Sequence, residues 1–353
     1  MRTYFVDNAN GNDGGDGHDG STEALAWASL SYAADQVVAG DTVYVQSGTE
    51  YTAADGLNSC VLYIDELGTL TTPITWIGYT TTIADGGKAV INAATNSLVN
   101  GISGITTTWG YNVFKNFEVK GASAAGINVG GTGGDYASFE NCSIHNNGGW
   151  GVQGDNNITF LNCQVYSNAG GGIDVDSAAI IIGCTVYSNT GDGIVTSGIS
   201  IIEKNIVYAN TARQIYVNSP TANSIIANNT IDGDDGPTTI GISELVAAPS
   251  LGFFYNNVII DCNTGVFFNT SCSYRFFQFN SIYSCNTAST NLAGDVGTLT
   301  SDPLFTNIDT RDYTLTSSSP LINAGLDGHD IGAEPYTSTG GSVVIAPANQ
   351  LIY

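Results

Sequence analysis

Basic side chains are scarce in this sequence, where Lys and Arg total 8 against 32 Asp and Glu and the formal net charge is −24. This charge would repel nucleic acids, anionic membranes and polyanionic glycans. Long apolar runs are also missing, and the N-terminus enters a strand pattern without a signal-peptide core. We therefore expect no nucleic-acid partner, no membrane insertion and no signal peptide in this chain.

The cysteine count argues against a complete disulfide framework, because seven is an odd number. Cys142, Cys163 and Cys184 follow one another at intervals of 21 residues. On successive turns of a coil their side chains would point the same way, which suits the dihedral angle of a disulfide poorly. We expect these three residues to be buried, reduced thiols in a stack.

A repeat of 21 to 28 residues runs through the middle of the chain. The segment Asn-Cys-Ser-Ile-His-Asn-Asn at 141–147 recurs in related form at 162–168 and 183–189, and looser copies continue to 279–282. Measured at the Cys or Asn position, the steps are 21, 21, 21, 24, 28 and 23 residues. Insertions therefore fall in turns, while the strand pattern persists.

Alternate residues of a strand share a face, so the repeat predicts aligned columns of side chains. Three columns are apolar throughout: Phe139, Phe160, Ile181, Ile202, Ile226, Phe254 and Phe277; Ile144, Val165, Val186, Val207, Ile231, Ile259 and Ile282; Ile127, Val152, Ile173, Ile194 and Ile215. Asparagines recur at the bends, where stacked amides can bond one another. The sequence predicts an all-β fold, a single right-handed parallel β-helix.

Both ends of such a stack expose strand edges that need a cover. Residues 22–38 predict a short amphipathic helix ending near Gly40 as the N-terminal cap, and prolines 303 and 320 indicate an irregular C-terminal cap. We therefore divide the chain into an N-terminal strand, Asp/Gly loop and capping helix (1–42), the β-helix (43–300), the C-terminal cap (301–336), and a linker with an apolar tail (337–353).

Motifs at both ends of the chain resemble those of a known family. The entry contains Tyr4-Phe5-Val6-Asp7 and Gly40-Asp41-Thr42-Val43-Tyr44-Val45, and the exit contains Asp302-Pro303-Leu304-Phe305 and Asp330-Ile331-Gly332-Ala333. Through them, residues 3–336 resemble the right-handed parallel β-helix repeat proteins of the pectate-lyase-like superfamily. The resemblance implies the fold more than an activity, because this scaffold hosts lyases, epimerases, glycosidases, adhesins and phage tail proteins.

The distribution of basic residues argues against a polysaccharide lyase. A lyase needs cations to neutralise a uronate and a strong base, usually Arg or Lys, to remove the neighbouring proton. The sequence has neither Lys nor Arg between Lys120 and Lys204, an interval that holds its most regular turns.

Three aspartates could carry acid chemistry instead. The pattern places Asp174 and Asp176 on one outward face about 6.5 to 7 Å apart, and Asp155 one turn earlier about 5 Å from Asp176. Carboxylate pairs of glycosidases have such separations, and their mutual repulsion raises a pKa, as a general acid requires. The alternatives are a solvated acidic patch and a cation site.

The N-terminal loop, residues 7–20, alternates oxygen-bearing side chains with glycine, as calcium-binding loops do. Candidate ligands for calcium are Asp7, Asp13, Asp16 and Asp19. Calcium is the one cofactor that the sequence suggests. The loop lacks the register of an EF-hand, so a plain Asx/Gly turn loop is the alternative.

An aromatic column is predicted on another outward face. His145, Tyr166, Tyr187 and Tyr208 would stand about 4.8 Å apart on successive turns. Sugar rings stack on aromatic faces, so these residues are candidates for binding a neutral glycan. The alternative is that the stacked rings shield the neighbouring strands.

The last residues, 343–353, form an apolar tail, which favours a homo-oligomer or larger assembly through this segment. Two functions remain open. The first, which we favour here, is a non-catalytic, rod-like structural or adhesive protein of a phage virion or an extracellular surface that binds glycans. The second is an enzyme, a glycoside hydrolase acting on a neutral polysaccharide. Either one implies an extracellular or virion-associated location.

Overall fold

The computed structural model describes residues 1–53, 59–104, 110–130, 136–218, 223–244, 251–269, 274–292 and 294–336. The predicted tail at 343–353 lies outside these described residues. Most of the described elements are strands of three to five residues. Short strands of this kind fit the glycine-rich, turn-rich repeat of the sequence.

The first half of the chain contains β1 (Thr3–Asp7), β2 (Thr42–Gln46), β3 (Cys60–Ile64), β4 (Ile74–Tyr79), β5 (Ala89–Asn92), β6 (Asn100–Gly104), β7 (Asn112–Lys115), β8 (Phe117–Lys120), β9 (Ile127–Val129), β10 (Ser138–Glu140), β11 (Ser143–His145), β12 (Val152–Gly154), β13 (Thr159–Leu161), β14 (Gln164–Tyr166) and β15 (Ile173–Val175). The second half contains β16 (Ala179–Ile182), β17 (Thr185–Tyr187), β18 (Ile194–Thr196), β19 (Ser200–Glu203), β20 (Ile206–Tyr208), β21 (Arg213–Val217), β22 (Ile225–Ala227), β23 (Thr230–Asp232), β24 (Ile240–Glu244), β25 (Leu251–Tyr255), β26 (Val258–Ile260), β27 (Thr264–Phe268), β28 (Tyr274–Gln278), β29 (Ser281–Tyr283), β30 (Thr287–Thr290), β31 (Phe305–Asn307) and β32 (Asp312–Leu315).

Three parallel sheets form the walls of one coil. Sheet A has the order β1-β2-β4-β7-β10-β13-β16-β19-β22-β25-β28, sheet B has β29-β26-β23-β20-β17-β14-β11-β8-β5, and sheet C has β3-β6-β9-β12-β15-β18-β21-β24-β27-β30. In the regular part, each turn of the chain gives one strand to each sheet in the order A, B, C, as β13, β14 and β15 do. The predicted all-β parallel solenoid is confirmed. Strand β1 is already part of it, as the first strand of sheet A.

The core consists of the predicted apolar columns in register. Phe139 pairs with Phe160, and Phe160 pairs with Ile181, along sheet A. The rings of Phe139 and Phe160 stack with centroids 5.3 Å apart, and both side chains are fully buried. Each such side chain removed from water stabilises the fold by about 1.5 to 3 kcal/mol, so the stack of turns is held mainly by this interior.

Side-chain ladders stabilise two corners of the coil. At the corner between sheets B and C, the amides of Asn147, Asn168, Asn189 and Asn210 are joined in sequence by hydrogen bonds of 2.9, 2.9 and 2.8 Å. A second ladder at the corner between sheets A and B runs through Asn205, Asn229, Asn257 and Asn280. The predicted stack of reduced thiols, Cys142, Cys163 and Cys184, continues this second ladder toward the N-terminus.

The N-terminal cap is a helix shorter than the sequence predicts. Helix α1 spans Leu30–Gln36 and begins at Ser29, whose side chain accepts a hydrogen bond from the Tyr32 amide. The residues before it were predicted as helical but lie alongside β1 instead. Trp27 forms a β-bridge with Val6 and exchanges backbone hydrogen bonds with β1. A one-turn 3₁₀ helix at Glu23–Leu25 precedes this bridge. None of the helices in the described ranges is long and apolar enough to cross a membrane.

The C-terminal segment, residues 301–336, packs along the outward side of sheet B. It contains the antiparallel pair β31–β32 and 3₁₀ turns at Ile308–Thr310 and Leu326–Gly328. Tyr313, Leu321 and Ile331 form a small apolar cluster with Val258 and Ile260 of sheet B. This cluster accounts for outward-facing apolar side chains that a solvated sheet would not carry.

An ion pair anchors the same segment. Arg311 Nη1 lies 2.8 Å from Oδ2 of Asp232, a carboxylate that is only 1% exposed, and Arg311 also pairs with Asp234. The Tyr313 hydroxyl donates to Asp232 Oδ2 at 2.8 Å. The string Asp232-Gly233-Asp234 therefore serves to dock the C-terminal segment.

We expect Arg311→Ala to lower the free energy of unfolding by about 2 to 4 kcal/mol, because Asp232 would remain buried without its cation. Limited proteolysis should then cut first within residues 301–336. Lys204→Ala is the matched control, since Lys204 is 57% exposed and its nearest carboxylate, Glu203, is 3.7 Å away. Equal stability of the two variants would contradict the anchoring role of Arg311.

Candidate functional site

The three candidate aspartates come together on sheet C, within and just after the adjacent strands β12 and β15. Asp174 projects outward from β15, since Ile173 and Val175 on either side of it are buried. Asp155 and Asp176 follow β12 and β15, and the register of these strands places them side by side. The Asp176 amide donates a hydrogen bond of 2.7 Å to the Asp155 carbonyl. The predicted alignment is confirmed, while a catalytic role for the three residues stays a prediction.

The protonation of Asp174 is unusual for a carboxyl group. Burial, and then the charges of Asp176 and Asp192, raise the pKa of Asp174 to about 6. Burial, and then Asp155, also raise the pKa of Asp176. Asp174 therefore holds a proton at pH 5 and gives it up near neutrality, which is the behaviour required of a general acid.

A fourth carboxylate and a guanidinium flank this group, and the sequence alone did not assign them to it. Arg213 at the start of β21 forms a two-point pair with Asp192, with Nε–Oδ1 and Nη2–Oδ2 distances of 2.8 and 2.7 Å. Its guanidinium carbon lies 3.4 Å from the centroid of the Tyr216 ring. The 21-residue interval between Asp192 and Arg213, one full turn of the coil, is the signal that could have placed them together.

Trp150 supplies an aromatic surface that sequence reasoning also missed. Its indole lies over Gly171 on the next turn, where an added Cβ would come within 2.3 Å of a ring carbon. Gly171 is three residues before Asp174, and the same column continues to Asp192 and Arg213. Aromatic rings beside convergent polar groups are typical of sites that hold a sugar ring.

The aromatic column on sheet B is present as predicted, but its ring faces are covered. Centroid distances are 4.6 Å for His145–Tyr166, 4.8 Å for Tyr166–Tyr187 and 4.9 Å for Tyr187–Tyr208, with interplanar angles of 9°, 6° and 7°. Only ring edges point outward, whereas sugars stack on faces. Glycan binding by these residues stays a prediction, and the geometry favours the shielding of strands instead.

Both ends of the aromatic column are covered as well. At one end His145 Nε2 lies 3.3 Å from Glu118 Oε1, and Glu118 is also paired with Lys120. Burial lowers the pKa of His145, so that its ring is neutral at pH 7. At the other end the guanidinium of Arg311 lies 5.1 Å from the centroid of the Tyr208 ring.

Three of the four N-terminal aspartates accept hydrogen bonds from neighbouring groups of the N-terminal region. Asp13 accepts hydrogen bonds from the amides of Ala28 and Ser29, at 2.8 and 3.0 Å, and from the Ser29 hydroxyl. Asp7 and Asp19 likewise accept from nearby amides, and Asp16 is exposed. In the part of the chain that the structure describes, no three His, Cys, Asp or Glu residues are grouped to hold a metal ion. Calcium binding by Asp7, Asp13, Asp16 and Asp19 stays a prediction.

Similarity to solved structures extends over nearly the whole coil. The crystal structure of pectate lyase Pel9A aligns with a TM-score of 0.61 and 17% identity, covering 96% of this chain and 97% of that one. The A-module of Azotobacter vinelandii mannuronan C-5 epimerase AlgE6 gives a TM-score of 0.48 and 14% identity over 74% of this chain and 81% of that one. XylC in complex with xylose gives 0.49 and 12% over 85% and 86%. At these identities the likeness shows the fold alone.

Similarity in sequence identifies a family. No curated protein matches the chain. The family described as the Pel9A-like, right handed beta helix region matches residues 5–225, more than half of the sequence. This match supports the predicted right hand of the coil and the resemblance found in the sequence. The chain therefore belongs to the family of Pel9A-like right-handed β-helix proteins.

Proposed function

We propose that this chain is a carbohydrate-active enzyme that hydrolyses a neutral polysaccharide on the outward side of sheet C. The observation that carries the proposal is the grouping of Asp155, Asp174 and Asp176 on the outward face of sheet C, where burial and neighbouring carboxylates raise the pKa of Asp174 to about 6. In the proposed reaction Asp174 protonates the glycosidic oxygen and Asp176 activates water from the opposite side of the sugar. Alternate residues of a strand are about 7 Å apart, a separation that leaves room for this water.

The charge of the chain supports a neutral substrate. The net charge is −24, and the four carboxylates of the site include Asp192, which already uses Arg213 as its counterion. A uronate polymer would bring further negative charge to this surface. Trp150 would instead contact the apolar face of a neutral sugar. Tyr216 is only 6% exposed and serves to hold the Arg213 guanidinium against its ring.

A lyase is the second candidate, and Arg213 is the residue that favours it. The pectate lyase that this chain resembles shares its fold, and Arg213 is the basic residue seen beside Asp192. As a base, however, Arg213 would have to lose its proton. Burial lowers its pKa, but the pair with Asp192 outweighs this effect and raises the pKa overall. The ion pair therefore argues for hydrolysis over elimination.

The non-catalytic role that the sequence favoured remains the alternative to both enzymes. Binding of a glycan without cleavage would support a structural or adhesive protein. Self-assembly through residues 343–353 and association with a virion stay predictions. An enzyme acting on polysaccharides would work outside the cell, which agrees with the predicted extracellular location.

The pH dependence of cleavage tests the proposal. We expect reducing ends to be released from at least one neutral polysaccharide in a panel of xylans, glucans, galactans and arabinans. The rate should fall as the pH rises through about 6, because Asp174 then loses the proton that it must donate. A rate that stays constant between pH 5 and pH 8 would contradict the assignment of Asp174 as the acid.

A further inference from the structure

One outward column of sheet A changes its chemistry halfway along the coil. Its N-terminal part consists of hydroxyl side chains, such as Thr42, Thr75 and Thr159, apart from Val113. Its C-terminal part contains only apolar side chains, which we name the apolar stripe: Ile180, Ile201, Ile225, Phe253 and Phe276. Each alternates with buried core residues, so the stripe lies on the outer surface.

The apolar stripe is open to solvent at its C-terminal end. Phe276 is 46% exposed, and its ring stacks on Phe253 at 5.1 Å. Leu251, on the same strand as Phe253, is 37% exposed. A contiguous apolar surface of this kind marks a contact with another segment or molecule.

The chain itself contains a segment of matching chemistry beyond the last described residue. Residues 343–353, Val-Val-Ile-Ala-Pro-Ala-Asn-Gln-Leu-Ile-Tyr, have no charged side chain. Near the end of the described residues, Pro335 lines a cleft of about 450 Å³ together with Tyr255 of β25, while Tyr336 packs against the apolar cluster on sheet B. Tyr255 is two residues after Phe253 on β25 and faces the same way.

Length and charge both permit this segment to reach the stripe. The 17 residues that follow Tyr336 can extend over about 55 Å, whereas the stripe covers four steps of about 4.8 Å. A second copy of the chain would bring another −24 of charge to the surface, and the uncharged segment brings none from its side chains. We propose that residues 343–353 dock on the apolar stripe of their own chain.

Docking within one chain changes the role predicted for the tail. The segment covers the apolar surface of its own coil and is then not free to join two molecules. Because it is tethered close to Tyr255, its effective concentration at the stripe is high, and no assembly is needed to bury its apolar side chains.

Photo-crosslinking in the full-length protein tests this docking. A photoreactive benzophenone amino acid in place of Ile345 should yield intramolecular cross-links, mapped by mass spectrometry to peptides that contain Phe253 or Phe276. Phe276→Asp should lower their yield about tenfold, because it places a charge in the apolar contact. Phe276→Leu keeps the surface apolar and should retain most of the yield.

Thr159→Asp is the matched control, because it adds the same charge to the same column outside the stripe. The cross-link yield of Thr159→Asp should equal that of the protein without a substitution in the stripe. Circular dichroism should confirm that every variant is folded. Equal yields for Phe276→Asp and Thr159→Asp would overturn the proposal. Cross-links to sheets B or C, or cross-links found only between two chains, would overturn it as well.

Discussion

Asp174→Asn is expected to lower the rate of polysaccharide cleavage by about two to four orders of magnitude. Asparagine has nearly the shape of aspartic acid but cannot transfer a proton to the glycosidic oxygen. The loss should appear in kcat at pH 5.5, with KM changed little, because the aromatic contact of Trp150 with the sugar remains. Asp35→Asn, the same change at an exposed position of α1, should retain full activity.

The same variant should become more stable at neutral pH, which separates lost catalysis from misfolding. Folding raises the pKa of Asp174 from 3.8 to about 6, so the stability that this group contributes is lost as the pH rises through about 6. Removing the charge should therefore stabilise the protein at pH 7.5 by about 1 to 2 kcal/mol, after allowance for partial exposure. At pH 4 the gain should disappear. A less stable Asp174→Asn variant at pH 7.5 would contradict the raised pKa.

Asn168→Ala is expected to cause a large loss of stability, about 3 to 5 kcal/mol. The Asn168 amide donates to Asn189 Oδ1 at 2.9 Å and to the carbonyl of Ile144 at 3.3 Å. Its oxygen accepts from both the side chain and the backbone of Asn147. Alanine would leave these buried donors of Asn147 without that acceptor, a cost of about 1 to 3 kcal/mol for each group.

The urea midpoint of unfolding measures this loss. Gln164→Ala is the control on the same turn, because Gln164 is exposed on the outward face of sheet B. Its midpoint should change little, by an amount that corresponds to only a few tenths of a kcal/mol in the free energy of unfolding. If Asn168→Ala and Gln164→Ala have the same urea midpoint, the asparagine ladder does not stabilise the corner between sheets B and C.

Much of the coil could be predicted because its order is periodic. A 21-residue step fixes which side chains meet, so the sequence was sufficient to align Phe139 with Phe160 and Asp155 with Asp176. The stacking of Tyr166 on Tyr187 was predicted on the same basis. The sequence left open whether these rings would bind sugars or shield strands, because the covering of ring faces follows from side-chain rotamers and not from spacing.

Contacts that break the period could not be predicted. Arg311 reaches Asp232 across 79 residues, and no repeat in the sequence links them. Residues 22–29 have an amphipathic pattern, but the backbone of β1 competes for Trp27 and shortens the helix. At the site, Trp150 reaches Gly171 because the next turn lacks a side chain at that point.

The masses of the products released from a neutral polysaccharide test the central claim most directly. Hydrolysis with Asp174 as the acid adds one water to each broken bond, so the fragments should be saturated oligosaccharides with masses of whole sugars plus water. Elimination would give fragments lighter by one water and unsaturated at one end. Saturated products from the wild type and none from Asp174→Asn are the result predicted here, whereas unsaturated products, or equal amounts from both proteins, would contradict it.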